Sequence, residues 1–174
     1  MLHKLLVMFL LVAAVAALAQ PTPQVLVATG KEVRTETVAP GAVICGGGQP
    51  TGQIPPCSPT TTNIMIRGMS NKYVAEEVTG SAAAMLGGWN ITFVNGDLDA
   101  NWCGHLWGAA QWTVPEMGGV WQGVFFAVAD QARGFVINKA MFFGSGGKLE
   151  GLKMDYYAVS IGGKTTFVAV VTGK

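Results

Sequence analysis

Charge is scarce in this chain. Only 12% of its 174 residues are Asp, Glu, Lys or Arg, about half the share usual in a globular protein. The formal net charge is +1, so there is no basic face with which to neutralise phosphates, and a nucleic-acid partner is not expected. Histidine is almost missing, with only His3 and His105, and there are three cysteines, Cys45, Cys57 and Cys103. A structural zinc site needs four such ligands, so no metal site is expected. No G-x-S-x-G elbow, phosphate loop or dinucleotide fingerprint occurs, and no cofactor is implied. After the first twenty residues no apolar run is long enough for a transmembrane helix, which takes about 20 residues.

That first stretch reads as a targeting segment. "MLHK" is a short basic start, Leu5 to Ala17 is unbroken apolar sequence, and "ALAQ" places small residues at Ala17 and Ala19. The expectation is a signal peptide over residues 1–19, cleaved near Ala19, and a secreted protein, periplasmic or extracellular. Residues 20–62 read as an extended arm followed by a Gly- and Pro-rich loop. Cys45 and Cys57 bracket "GGGQPTGQIPP", which reads as a loop closed by a disulfide in an oxidising compartment. Such a bridge stabilises by about 2–3 kcal/mol. Cys103 is then a buried free thiol or an alternative partner for either of the other two, because spacing does not fix connectivity.

Glycine, by contrast, is plentiful at 24 residues. From Asn63 to the end, residues 63–174, the sequence reads as one β domain. "NIMIRGM", "KYVAEEVTG", "WNITFVNGDL", "HLWGAAQWTV", "GVWQGVFFAVA", "GFVINKAMFF", "EGLKMDYYAVS" and "TTFVAVVTG" are eight candidate strands rich in β-branched and aromatic residues. Short turns such as "PEMGG", "DQARG", "GSGGK" and "IGGK" make neighbours pair antiparallel. Residues 120–129 alternate with apolar side chains on both faces: Val120, Val124, Phe126 and Val128 on one, Trp121, Phe125, Ala127 and Ala129 on the other. A half-solvated sheet has a polar outer face. Two apolar faces predict an all-β, antiparallel up-and-down barrel of about eight strands, filled inside and covered outside by loops, a terminal arm or another subunit. A homo-oligomer, dimer or trimer, is therefore expected. An outer-membrane barrel carries polar lumen positions. These strands do not, so stable membrane insertion is not expected.

"DLDANWCGHLWG", residues 97–108, concentrates the groups that do chemistry. Asp97, Asp99 and Asn101 have the spacing of the first three calcium-loop ligands. The required Gly and Glu further on are Trp102 and Gly108, so the loop fails as a calcium site. Cys103 and His105 share a strand face with Cβ atoms about 7 Å apart, a loose Cys–His pair with no third group to orient it. Asp97 and Asp99 are too close for an inverting carboxylate pair. No catalytic residue is assigned, and the balance leans against an enzyme. The rings remain. Trp102, His105, Trp107, Trp112, Trp121 and Tyr156 are the candidate lining of a pocket for a small apolar ligand, and Glu116, His105 or Tyr156 could anchor a polar group there. Filling of the barrel interior is the plainer role for the tryptophans.

"GVWQGVF" followed by "FFGSGGKLEGLKMDY" resembles a pattern in the barrel class that holds plant allene oxide cyclases, dirigent proteins and secreted bacterial families of unknown function. The matching residues are Gly144, Gly146, Gly147, Leu149, Gly151 and Leu152. "CGGGQPTG…PC", "NGDLDAN" and "LWG" are similar to segments of the bacterial proteins, and the resemblance spans about residues 43 to 172. It implies an eight-stranded antiparallel barrel, often trimeric in the cyclase and dirigent branches. No segment matches a cyclase site. The expected function is therefore a secreted barrel that binds a small apolar ligand or a protein partner without catalysis. The alternatives are an isomerase or cyclase of this barrel class, or an extracellular structural protein that assembles through its outer face.

Overall fold

In a computed structural model that describes residues 24–46 and 61–173, the chain forms a closed antiparallel β-barrel. Nine strands run in order: β1 (Val25–Ala39), β2 (Ala42–Cys45), β3 (Asn63–Gly80), β4 (Trp89–Asp99), β5 (Cys103–Val114), β6 (Gly119–Asp130), β7 (Phe135–Ser145), β8 (Lys153–Ile161) and β9 (Lys164–Thr172). From β3 to β9 each strand pairs with the next, as hairpins dictate. β1 pairs with β9 on one side and β3 on the other, which closes eight strands into a barrel. The short β2 resumes the course of β1 after Pro40 and Gly41, pairing with the first residues of β3.

Two elements depart from the reading of the sequence. "NIMIRGM" and "KYVAEEVTG" are one strand, β3, interrupted by a bulge at Gly68. The eighth barrel strand is supplied by β1, inside the segment read as an arm. A bulge adds one residue and reverses which side chains face inward. Ile64 and Ile66 point inward before it, and the inward set becomes Met69, Asn71 and Tyr73 after it, opposite Val94, Thr92 and Asn90. Gly68 adopts φ +66° at this point, a backbone region that costs glycine nothing. The expected disulfide falls partly outside the described residues, since Cys57 and most of its loop lie there. Among the described residues, Cys103 is a free thiol.

One end of the barrel is sealed. Three single turns of 3-10 helix, Ala83–Leu86, Pro115–Met117 and Gly147–Leu149, lie over it. Leu86, Val114, Leu149, Trp112 and Trp121 are fully buried beneath them. Trp121 donates its indole N–H to the Met85 carbonyl at 2.8 Å, tying the seal to β6. Phe142 completes the packing, and it fits because its cross-strand partner is Gly123, where a Cβ would collide with the Phe142 ring. A second cluster, with Val43, Ile64, Ile66, Leu98 and Ala129, lies toward the other end. No helix of the described residues is long and apolar enough to cross a membrane.

Candidate functional site

Between the two clusters the interior is not filled. A cavity of about 200 Å³ is lined by residues from all eight barrel strands. Its emptiness follows from the residues that alternate inward. Ala110, Ala127, Ala140 and Ala158 stand beside one another's neighbours on β5 to β8, where larger side chains would close the space. Phe125, Phe142, Leu106, Val94 and Val136 make the rest of the wall apolar.

One side of this cavity is polar. Glu32 of β1, Tyr73 of β3, Asn90 of β4 and Tyr156 of β8 all line it. Glu32 is the last β1 residue paired with β9, opposite Thr165; beyond it β1 continues along β3 alone. Asn90 sits in the cross-strand row between Tyr73 and Trp112, and its amide N–H donates to Glu32 Oε1 at 3.2 Å. Tyr156 is held by rings: it stacks on Phe167 at 5.2 Å between centroids and takes Trp112 and Phe142 edge-on at 5.9 and 6.1 Å. Such a ring is fixed by packing, so its hydroxyl is positioned without needing a hydrogen bond to hold it.

The electrostatics follow from burial. Enclosure of the Glu32 carboxyl raises its pKa above the ordinary 4.5, although the bond from Asn90 and the nearby Tyr156 hydroxyl oppose the shift. Burial likewise raises the Tyr156 phenol well above its usual value, and the Glu32 charge adds to the effect. Tyr73 is raised for the same two reasons, with Arg34 acting the other way. Among the described residues, four buried polar atoms have no hydrogen-bond partner in good geometry: Asn90 Oδ1, Asn138 Oδ1, Trp112 Nε1 and Tyr156 OH. Buried polar atoms are satisfied in the great majority of cases, because an orphan costs about 1–3 kcal/mol. Three of the four belong to residues that line this one cavity.

The aromatic candidates fall in different places. Tyr156 lines the cavity, and Trp112 packs against it from the sealed end. Trp121 belongs to the seal. His105 and Trp107 face outward, His105 lying 5.3 Å from the Phe126 ring and Trp107 under the Arg67 guanidinium at 5.6 Å. Trp102 stands in the β4–β5 turn with φ +61° and packs on the second cluster. Glu116 is exposed in the turn between β5 and β6.

The Asp-rich stretch is a hairpin. Asp99 Oδ1 accepts the backbone N–H of Asn101 and of Cys103 at 2.8 and 2.9 Å, fixing the turn. Asp97 pairs with Arg67 at 2.6 Å on the outer surface. Cys103 points its thiol toward Asp130 rather than His105. Among the described residues no group of three His, Cys, Asp or Glu could hold a metal ion.

Glu32, Tyr73 and Asn90, three of the four residues on the polar wall, were not among the sequence candidates. The usable signal was an acid at an alternate position after Leu26, Ala28 and Gly30, which marks a charged group on the inner face of a strand. No protein-family model, no curated protein and no solved structure matches this chain.

Proposed function

We propose that this protein is a secreted β-barrel that binds a small, largely apolar molecule inside the barrel, without catalysis. The observation that carries the reading is the cavity of about 200 Å³ whose apolar wall is broken by buried polar atoms with no protein partner. A dry engineered cavity of about 150 Å³ takes up benzene. This one has room for a ring or branched aliphatic compound of similar or slightly larger size. Membership in the allene-oxide-cyclase and dirigent barrel class belongs to the same proposal. It is supported by the eight-stranded antiparallel barrel and by the position of Gly144 to Leu152 as the β7–β8 turn. Native mass spectrometry of protein purified without denaturant tests the binding reading. A retained small organic mass that disappears on Ala158→Leu supports it. A bare protein that also takes up no small cyclic compound at millimolar concentration overturns it.

A second observation favours self-association through the outer wall. Val124, Phe126, Ile137, Met141, Phe143 and Ile161 on β6 to β8 are each between 45% and 65% exposed. Contiguous apolar surface of this kind marks an interaction site. A second copy is the occupant we favour, because the same wall carries Lys139 and Lys153 beside the carboxylate of Asp155, so it offers both signs to a copy of itself. Sedimentation velocity over a concentration series tests this. A monomer at all concentrations would remove the reading, and Phe126→Glu should dissociate any oligomer found.

A further inference from the structure

We propose that the cavity selects an uncharged molecule carrying one oxygen head group, an alcohol or a ketone on a compact hydrocarbon body, and excludes the corresponding carboxylate. The inference rests on the binding role just proposed and names the chemistry of its ligand.

The argument is an inventory of what the polar wall can offer. Among the described residues no Lys, Arg or His lines the cavity, and Glu32 is its one carboxyl group. An anion entering this space would meet no cation and would lie beside a carboxyl group. A carboxylate buried without a charge partner or a full set of donors is strongly disfavoured. A cationic ligand would need Glu32 ionised. The charged and titratable groups around Glu32 are Tyr73 from β3, Tyr156 from β8 and Arg34 further along β1, while β4 and β9 present only Asn90, Thr92 and Thr165. Enclosure of the carboxyl favours its neutral form.

What remains free is a matched set. Tyr156 OH lies beside the Glu32 carboxyl but in hydrogen-bond geometry with no protein acceptor, so it can donate to a ligand, and the acid form of Glu32 is a second donor. Asn90 uses its N–H on Glu32 and leaves Oδ1 unpartnered, and Asn138 Oδ1 is likewise open. A ketone oxygen can accept from the Tyr156 and Glu32 donors. A hydroxyl can accept from one of them and donate to an asparagine oxygen. A plain hydrocarbon satisfies neither, and each orphan atom stays unpaired. The remainder of the wall, from Phe125, Phe142, Leu106 and Val136, suits a hydrocarbon body.

Four probes of nearly one shape separate the possibilities: cyclohexanol, cyclohexanone, methylcyclohexane and cyclohexanecarboxylate. Titration calorimetry of each into the full chain, at a pH low enough to keep Glu32 protonated, should give cyclohexanol and cyclohexanone affinities about tenfold or more above the other two. Tyr156→Phe should reduce that preference over methylcyclohexane severalfold. Raising the pH through the range in which Glu32 ionises should weaken cyclohexanone binding, and Glu32→Gln should remove this pH dependence. Binding led by the carboxylate, or equal binding of methylcyclohexane, overturns the assignment of ligand class and leaves the cavity as a binding site. Failure of all four to bind overturns both readings.

Discussion

The sealed end of the barrel interior and its middle are built from the same strands and the same alternating positions, yet one is solid and the other hollow. At the sealed end, Trp112, Trp121 and Phe142 meet in adjacent cross-strand rows and glycines at 123 and 144 make room for them. Toward the middle the inward positions of β6 to β8 step down to Ala127, Ala140 and Ala158, and the space stays open. The polar groups differ in the same way. At the seal, the Trp121 N–H has its carbonyl. Around the cavity, side-chain oxygens of Asn90, Asn138 and Tyr156 wait without one. A single fold thus becomes core or pocket according to the size of a few inward residues, with no change in topology.

The sharpest way to break this contrast is to hollow the seal. Trp121→Ala removes a fully buried ring and its hydrogen bond to Met85, and should cost about 3–5 kcal/mol in urea unfolding. A loss below about 1 kcal/mol would mean that this end is not the structural one. Filling the hollow is the converse. Ala158→Leu places a larger side chain between Asn138 and Phe167, and should abolish uptake of cyclic probes while changing stability by about 1–2 kcal/mol. Tyr156→Phe deletes an unsatisfied hydroxyl but keeps the ring packing. It should leave the empty protein equally stable or up to about 1 kcal/mol more stable, measured by the same unfolding curves, and a clear destabilisation would show that the hydroxyl is already bonded.

Glu32 gives a pH signature. Its native pKa lies above the ordinary 4.5, so the folded state holds the proton more tightly than the unfolded chain. Its contribution to stability is full below about pH 4.5, falls as pH rises toward the raised native value, and is flat above it. Subtracting the stability profile of Glu32→Gln from that of the wild type should reveal that decline; a difference that rises with pH would reverse the assigned shift. The smallest effect belongs to the outside. His105→Ala touches neither region and should change stability by no more than about 0.5 kcal/mol, with cyclohexanol binding unaltered in titration calorimetry.

Much of the barrel was legible because its later strands alternate cleanly. Trp121, Phe125 and Ala127 against Val120, Val124 and Phe126 sort into inner and outer faces by period alone. Tyr156 was visible as a polar group on an apolar strand. Glu32 was hidden by its setting: "GKEVRTETV" mixes charged and β-branched residues so that neither face looks buried. Its partners β3 and β9 lie far away in sequence, and only their arrival encloses it. Asn90 was obscured by the outer face of β4, where Trp89, Ile91 and Phe93 are more hydrophobic than the inward Asn90 and Thr92. Hydrophobicity alone points that strand the wrong way round. Tyr73 depended on the Gly68 bulge, which resets the alternation midway along β3.

The closure of the barrel by β1 bears on how the protein is made. β1 is the first described strand of the chain and β9 the last, and Val25 is paired with Thr172. During synthesis, β3 to β8 can zip together hairpin by hairpin, each step joining neighbours. The final pairing has to wait for the end of the chain and joins its most distant parts, the kind of contact that slows folding. Until then the growing sheet carries two open edges able to pair with other chains. The same step completes the wall that encloses Glu32, so a chain shortened by one strand would lose the pocket and keep the liability to aggregate.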